Sequence, residues 1–151
     1  MIWWVRHGES TWNALDRMQG HELGPPLTER GRAQASAAAE ALADRGVTQV
    51  LASPAVRAQQ TAQIIADHLG LTVVTEQLLL EKGLDESVDS VLHRIDQFLS
   101  GNPERTVAVS HGDTIGLAVG LLSGRPPVLP ENASITSVDP LTRAVQVETP
   151  R

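Results

Sequence analysis

Short apolar runs alternate along this chain with longer segments of helical period, and that alternation restricts its fold more than any other feature. Ile2–Arg6, Gln49–Ala52, Leu71–Thr75 and Thr106–Ser110 read as buried strands, each bounded by a turn or helix signal. Thr28 is a suitable N-cap for an Ala-rich helix running to about Arg45, with Gly46 as its stop. Ser53-Pro54 reads as a helix start, Ser as cap and Pro in the first turn, for a helix that Gly70 ends after Leu69. Ser87–Leu99 places Val88, Val91, Leu92, Ile95 and Leu99 on one helical stripe, and a last helix is expected from about Asp113 to Leu122. Gly8 to Leu27, with Gly20, Gly24 and Pro25-Pro26, is expected to be a long loop, and residues 76–86 to be irregular. Two late strands, Ser134–Val138 and Ala144–Val147, flank a turn at Asp139-Pro140. This order predicts an α/β fold, a three-layer α/β/α sandwich with a mainly parallel sheet covered on both faces. Trp3 and Trp4, adjacent on the first strand, are expected to face opposite layers. The 151 residues suit a single domain, 1–151.

Composition narrows the function. With no cysteine there is no disulfide framework, thiolate zinc site or thiol nucleophile. The net charge of −6, without a Lys/Arg-rich block, argues against a nucleic-acid-binding surface. No apolar run approaches the ~20 residues of a membrane span, and Met1–Arg6 lacks the pattern of a signal peptide, so a cytoplasmic protein is expected. Oligomeric state is not legible.

Three chemically dense segments each follow a different strand: Arg6-His7-Gly8-Glu9 the first, Ser53-Pro54 with Arg57 the second, and Ser110-His111-Gly112-Asp113 the fourth. In a parallel sheet all carboxyl ends share one edge, the edge at which such folds bind ligands. His7, Arg57 and His111 are therefore expected to converge. Two Arg and two His would form a cationic cup for a phosphoryl group, with Arg forks on its oxygens, and the helix after His111 would point its free N–H groups inward, with Gly112 a further candidate phosphate contact. A neutral imidazole can attack phosphorus, and nearby positive charge disfavours its protonation.

The run Val5-Arg-His-Gly-Glu-Ser-Thr-Trp-Asn13 resembles the signature of the histidine phosphatase superfamily, in the branch with cofactor-dependent phosphoglycerate mutases and related phosphatases. Leu27–Ala35, Ser53–Ala62, Val109–Asp113 and Glu131–Ser134 resemble that family's further blocks, in order. The resemblance implies a phosphoglycerate mutase-like fold, with His7 as phosphorylated nucleophile and Arg6, Arg57 and His111 on the phosphoryl oxygens. It also implies phosphate contacts from Asn13 and a loop at Gln19-Gly20 that borders the site. It implies no metal and no cofactor, and a phosphorylated small molecule as partner.

The same resemblance implies Glu81, in Leu79-Leu-Glu81, as proton donor. The family usually continues there with a cap of some tens of residues, whereas here Lys82-Gly-Leu-Asp85 leads almost directly to Glu86. Asp85, Glu86 and Asp113 therefore stay open as alternative acids. Arg94 matches a common Arg of the next helix. Among activities, a phosphohistidine-forming phosphatase of small metabolites comes first. A mutase, which must shut out water, fits a missing cap poorly. A protein phosphohistidine phosphatase and a non-catalytic phospholigand-binding domain remain as further alternatives. His21, His68 and His93 match no site position, and Trp12 stands either at a pocket mouth or in packing.

Overall fold

A computed structural model describes residues 1–17 and 22–151, so Gln19, Gly20 and His21 lie outside the described residues. A six-stranded sheet comprises β1 (Ile2–Arg6), β2 (Gln49–Ala52), β3 (Val73–Thr75), β4 (Thr106–Ser110), β5 (Ile135–Val138) and β6 (Val145–Glu148), in the order β3-β2-β4-β1-β5-β6. The first four of that order run parallel, and the β5-β6 hairpin extends the sheet antiparallel along β1. The helices are α1 (Thr11–Ala14), α2 (Glu29–Leu42), α3 (Val56–Leu69), α4 (Val88–Ser100) and α5 (Gly112–Ser123).

Trp3 and Val5 bury against Ala38, Ala39, Leu42, Ala58, Ala62 and Ile65 of α2 and α3. Trp4 packs on the other face, with Val91, Ile95 and Phe98 of α4 and Ile115 and Ala118 of α5. The two tryptophans thus serve opposite layers, as strand alternation requires. Among the described residues, no helix is long and apolar enough to cross a membrane.

Register sets up the site. Arg6 lies opposite Ser110, and Ala52 opposite Val109, so His7, His111 and Ser53 emerge level from three adjacent strand ends. The connection leaving β1 returns through α2, on one face of the sheet, and that leaving β4 through α5, on the other. Connections diverging to opposite faces leave a crevice between the carboxyl ends of β1 and β4. The turn after β1 rests backbone to backbone on the start of α2. A Cβ on Gly8 would strike the Gly31 carbonyl, and one on Gly31 would strike that of Glu9, so only glycine fits at either position.

Three local expectations need correction. The loop from Gly8 to Leu27 contains the one-turn α1, held by a reciprocal cap in which Ser10 Oγ accepts from Asn13 N and Asn13 Oδ1 from Ser10 N. Strand β3 starts at Val73 rather than Leu71. Ser53 does not cap α3, whose N-cap is Ala55 with no side-chain bond, because the Ser53 hydroxyl is engaged in the crevice.

Candidate active site

His7 is completely buried, and its Nδ1 lies 2.7 Å from the carbonyl oxygen of Gly8. A carbonyl only accepts, so Nδ1 must carry the proton and Nε2 must present its lone pair. Nε2 is buried without a hydrogen-bond partner among the described residues. Burial, assisted by the charges of Arg6 and Arg57 and opposed by the Gly8 bond, lowers the pKa of His7 to about 3. The imidazole is neutral throughout the ordinary pH range.

The His111 ring packs edge-on to that of His7, with centroids 5.2 Å apart. Its Nε2 is 2.7 Å from Ser53 Oγ, which also accepts a longer bond from Ala55 N at 3.4 Å. Among the described residues Nε2 is the one acceptor within reach of the Ser53 hydroxyl proton, so the tautomer that satisfies the hydroxyl leaves Nδ1, itself unpartnered among those residues, as an N–H donor. Burial foremost, then the neighbouring His7, Arg57, Arg6 and Arg94, hold His111 well below the usual histidine range. Ser53→Ala is expected to free the ring tautomer and to lower kcat/KM for phosphate release by about tenfold or more, since misdirecting one oxyanion donor costs up to about 10²–10³. Unchanged kcat/KM in that variant would remove the hydroxyl from this role.

Arg57 is fully buried rather than on the helix surface. Its Nη1 donates to the Glu22 carbonyl at 2.7 Å and its Nη2 to Glu81 Oε2 at 3.1 Å. Arg6 Nη1 donates to the Pro130 carbonyl at 2.7 Å. Both guanidinium groups keep a buried Nε without a partner among the described residues. One lone pair and three N–H donors, on the two Arg and two His expected to form the cationic cup, thus lack partners among the described residues. Gly112 opens α5 where any Cβ would crowd Arg6 and collide with Leu129. Asn13 spends its amide oxygen on Ser10 and Asn132, which leaves its NH₂ for the cleft it lines.

That cleft, about 230 Å³, is walled by Arg6, Asn13, Arg17, Glu81, Lys82 and Asp113, among others. Arg6 belongs both to its wall and to the buried cluster, and Glu81 on the wall is bonded to Arg57 of that cluster. Burial foremost, with Asp113 adding to it and Arg57 and Arg6 opposing, raises the Glu81 pKa to about 7. Its side chain is only 14% exposed, unlike an ordinary loop carboxylate. Of the other candidate acids, Glu86 is committed to Arg94 and held at about 2, chiefly by that hydrogen bond. Asp85 is exposed and outside the cleft wall, whereas Asp113 stands on it. His68 and His93 are exposed, away from the site. Trp12 is half-buried beneath Arg17, whose guanidinium carbon lies 4.1 Å from the ring centre.

A sequence model of the histidine phosphatase superfamily (branch 1) matches residues 2–87. The chain belongs to this superfamily. The match spans His7, Arg57 and Glu81 and ends before His111, which register places beside His7. A probable phosphoglycerate mutase GpmB of Yersinia pestis (strain Pestoides F) is 41% identical over 101 residues, 64% of this chain and 46% of the relative. The chain thus spans about half the length of the curated relatives it matches. A mycobacterial glucosyl-3-phosphoglycerate phosphatase, solved in complex with VO3, superposes with a TM-score of 0.80 at 25% identity, over 98% of this chain and 96% of that one. An Entamoeba histolytica phosphoserine phosphatase mutant superposes at 0.77 over 97% and 93% of the two chains, and its 20% identity speaks for the fold alone. The fold is that of the phosphoglycerate mutase-like phosphatases, and the relatives of this superfamily member include both phosphatases and mutases.

Several supporting residues escaped the sequence reading. Thr61 Oγ1 accepts from Gly8 N at 3.0 Å and donates to the Arg57 carbonyl at 2.8 Å, joining two motifs. Ala133, with φ +56°, donates to the carbonyls of both Arg6 and His7. Only the position of Glu131–Ser134 in the family pattern hinted at such a contact.

Proposed function

We propose that the protein hydrolyses phosphate monoesters of small metabolites through a phosphohistidine on His7. The observation that carries this reading is the forced tautomer of His7, a buried, neutral imidazole with an unpaired Nε2 among three unpaired donors. A phosphoryl dianion would compete with Glu81 for Arg57 and draw oxygens onto Arg6 Nε, Arg57 Nε and His111 Nδ1. Nε2 attacks phosphorus as the P–O bond to the alcohol breaks, and the Glu81 carboxylic acid gives its proton to the departing oxygen. Glu81, now ionised, takes a proton from water as that oxygen attacks phosphorus. The P–N bond breaks, Nε2 recovers its lone pair, and inorganic phosphate leaves. The guanidinium groups supply the fixed positive charge that a metal ion would bring to such a centre, so no metal or cofactor is part of this proposal. A cleft of about 230 Å³ suits a small alcohol better than a macromolecule.

Phosphate release from an aryl phosphate in the presence of chelator tests hydrolysis, and incubation with 3-phosphoglycerate and 2,3-bisphosphoglycerate tests transfer. Chelator-insensitive phosphate release is expected, with little isomer formed. Efficient isomerisation without comparable release would replace hydrolysis by mutase chemistry. Absence of turnover on either substrate and on a panel of phosphorylated metabolites would favour a phospholigand-binding domain.

A further inference from the structure

Glu81 sits on irregular backbone, between a 3-10 turn at Gln77–Leu79 and helix α4. A proton donor must hold its position to within a fraction of an ångström, and a loop does not do this unaided. The carbonyls leading to it are each tied by a side chain from packed elements. Leu78 O accepts from Arg94 Nη1 at 3.0 Å, and Leu79 O from Ser110 Oγ at 2.5 Å. Leu80 O accepts from both Arg94 Nη1 at 2.9 Å and Thr114 Oγ1 at 2.8 Å, and Glu81 O lies 3.5 Å from Arg94 Nη2. Arg94 is itself fixed by Glu86, with Nε on Oε2 at 3.0 Å and Nη2 on Oε1 at 2.8 Å. Glu86 further accepts from Gly83 N and Ser90 Oγ, which folds residues 83–86 back onto α4.

We infer that Arg94 is a positioning residue for the proton donor, a clamp that holds the 78–86 segment so that the Glu81 carboxyl meets the leaving oxygen. The inference rests on the proposed role of Glu81. Arg94 acts through the backbone and does not touch the phosphoryl group. Its partner Glu86 has a pKa lowered to about 2, so the ion pair is complete above the unfolded carboxylate value and lost only as pH falls through about 2. The clamp therefore does not titrate in the working range. The groups facing Glu81 are Arg57 from α3, Asp113 from α5 and Arg6 from β1, and the Arg94 charge also helps to hold His111 low, so Arg94→Lys, which keeps that charge, separates loss of the clamp from loss of the charge.

The test compares kcat/KM on phenyl phosphate, a poor leaving group, with that on p-nitrophenyl phosphate, which needs little protonation. Arg94→Met is expected to slow the phenyl ester about tenfold to a hundredfold more than the nitrophenyl ester, within the span that general-acid catalysis contributes. It is also expected to move the alkaline limb of the pH profile. Arg94→Lys should recover part of the loss. The double variant R94M/E81Q should be no slower than E81Q alone, because a misplaced acid and a missing acid fail in the same step. Equal slowing of both esters by R94M, or losses that multiply in the double variant, would overturn the clamp. Should R94M not fold, Thr114→Val removes one donor to Leu80 O and takes its place in each comparison, with the same two results counting against the clamp. If E81Q itself shows no leaving-group bias while the wild type turns over, the role of Glu81 falls and the clamp with it. A bias in E81Q that is absent from R94M removes the clamp alone.

Discussion

His7→Ala is expected to abolish phosphate release, with a loss of about 10⁴-fold or more, since removing a covalent nucleophile leaves only binding and electrostatics to act. The expectation follows from a constraint on protons. Gly8 O can only accept from Nδ1, so Nε2 is unprotonated, and burial keeps it so down to about pH 3. No comparable constraint makes His111 a nucleophile, because its Nε2 faces a hydroxyl able to donate. His111→Ala is accordingly expected to cost about 10²–10³, the scale of one oxyanion donor. Mixing His7→Ala with free imidazole offers a further check, as the vacated space is the shape of the missing ring. Partial return of turnover with imidazole, and acid-labile phosphate on the wild-type protein alone after rapid quenching, are the expected outcomes. Activity of His7→Ala within tenfold of the wild type would exclude a phosphohistidine at this position. Thermal melts of both proteins separate loss of chemistry from loss of fold.

The parts of this site legible in the sequence share a physical character. Arg6 ends a strand, His7, Arg57 and His111 each come after one, and parallel strands bring such positions to one edge whatever their separation along the chain. Alternation was equally readable at Trp3 and Trp4, since a period of two leaves no choice of face once both faces are buried. Ser53 was misread because a Ser-Pro pair before a helix has the local grammar of a cap, while its hydroxyl serves a ring 58 residues away. The four-residue α1 was missed because one turn carries too little periodic signal to stand out among Gly and Pro. Arg94 could be matched but not interpreted. Its bonds go to backbone carbonyls, which every residue possesses, so no side-chain pattern in the sequence marks them. The choice among Glu81, Asp85, Glu86 and Asp113 is not legible in the sequence for a related reason. It depends on which carboxylate is desolvated and which is paired, and both are properties of packing.

Glu81→Gln is expected to slow esters of poor leaving groups by about 10²–10⁴, and p-nitrophenyl phosphate far less. The pH dependence fixes the sign. Burial raises Glu81 to about 7, so its acid form is present below that value, and kcat/KM should fall tenfold per unit as pH rises beyond it. His7, lowered to about 3, sets no limb in the same range, because its reactive neutral form persists at every pH above that value. The wild type should therefore lose activity on the alkaline side through one titration, and Glu81→Gln should lack that limb. Asp113 separates this assignment from its remaining rival. It lines the same cleft, and its charge helps to raise the Glu81 pKa. If Glu81 is the acid, Asp113→Asn keeps the alkaline limb and moves it to lower pH, since the neighbouring negative charge is gone. If Asp113 is the acid, Asp113→Asn erases the limb and Glu81→Gln leaves it standing. The two variants, profiled on phenyl phosphate, thus give opposite patterns for the two assignments, and only the first is compatible with a backbone clamp built around residue 81.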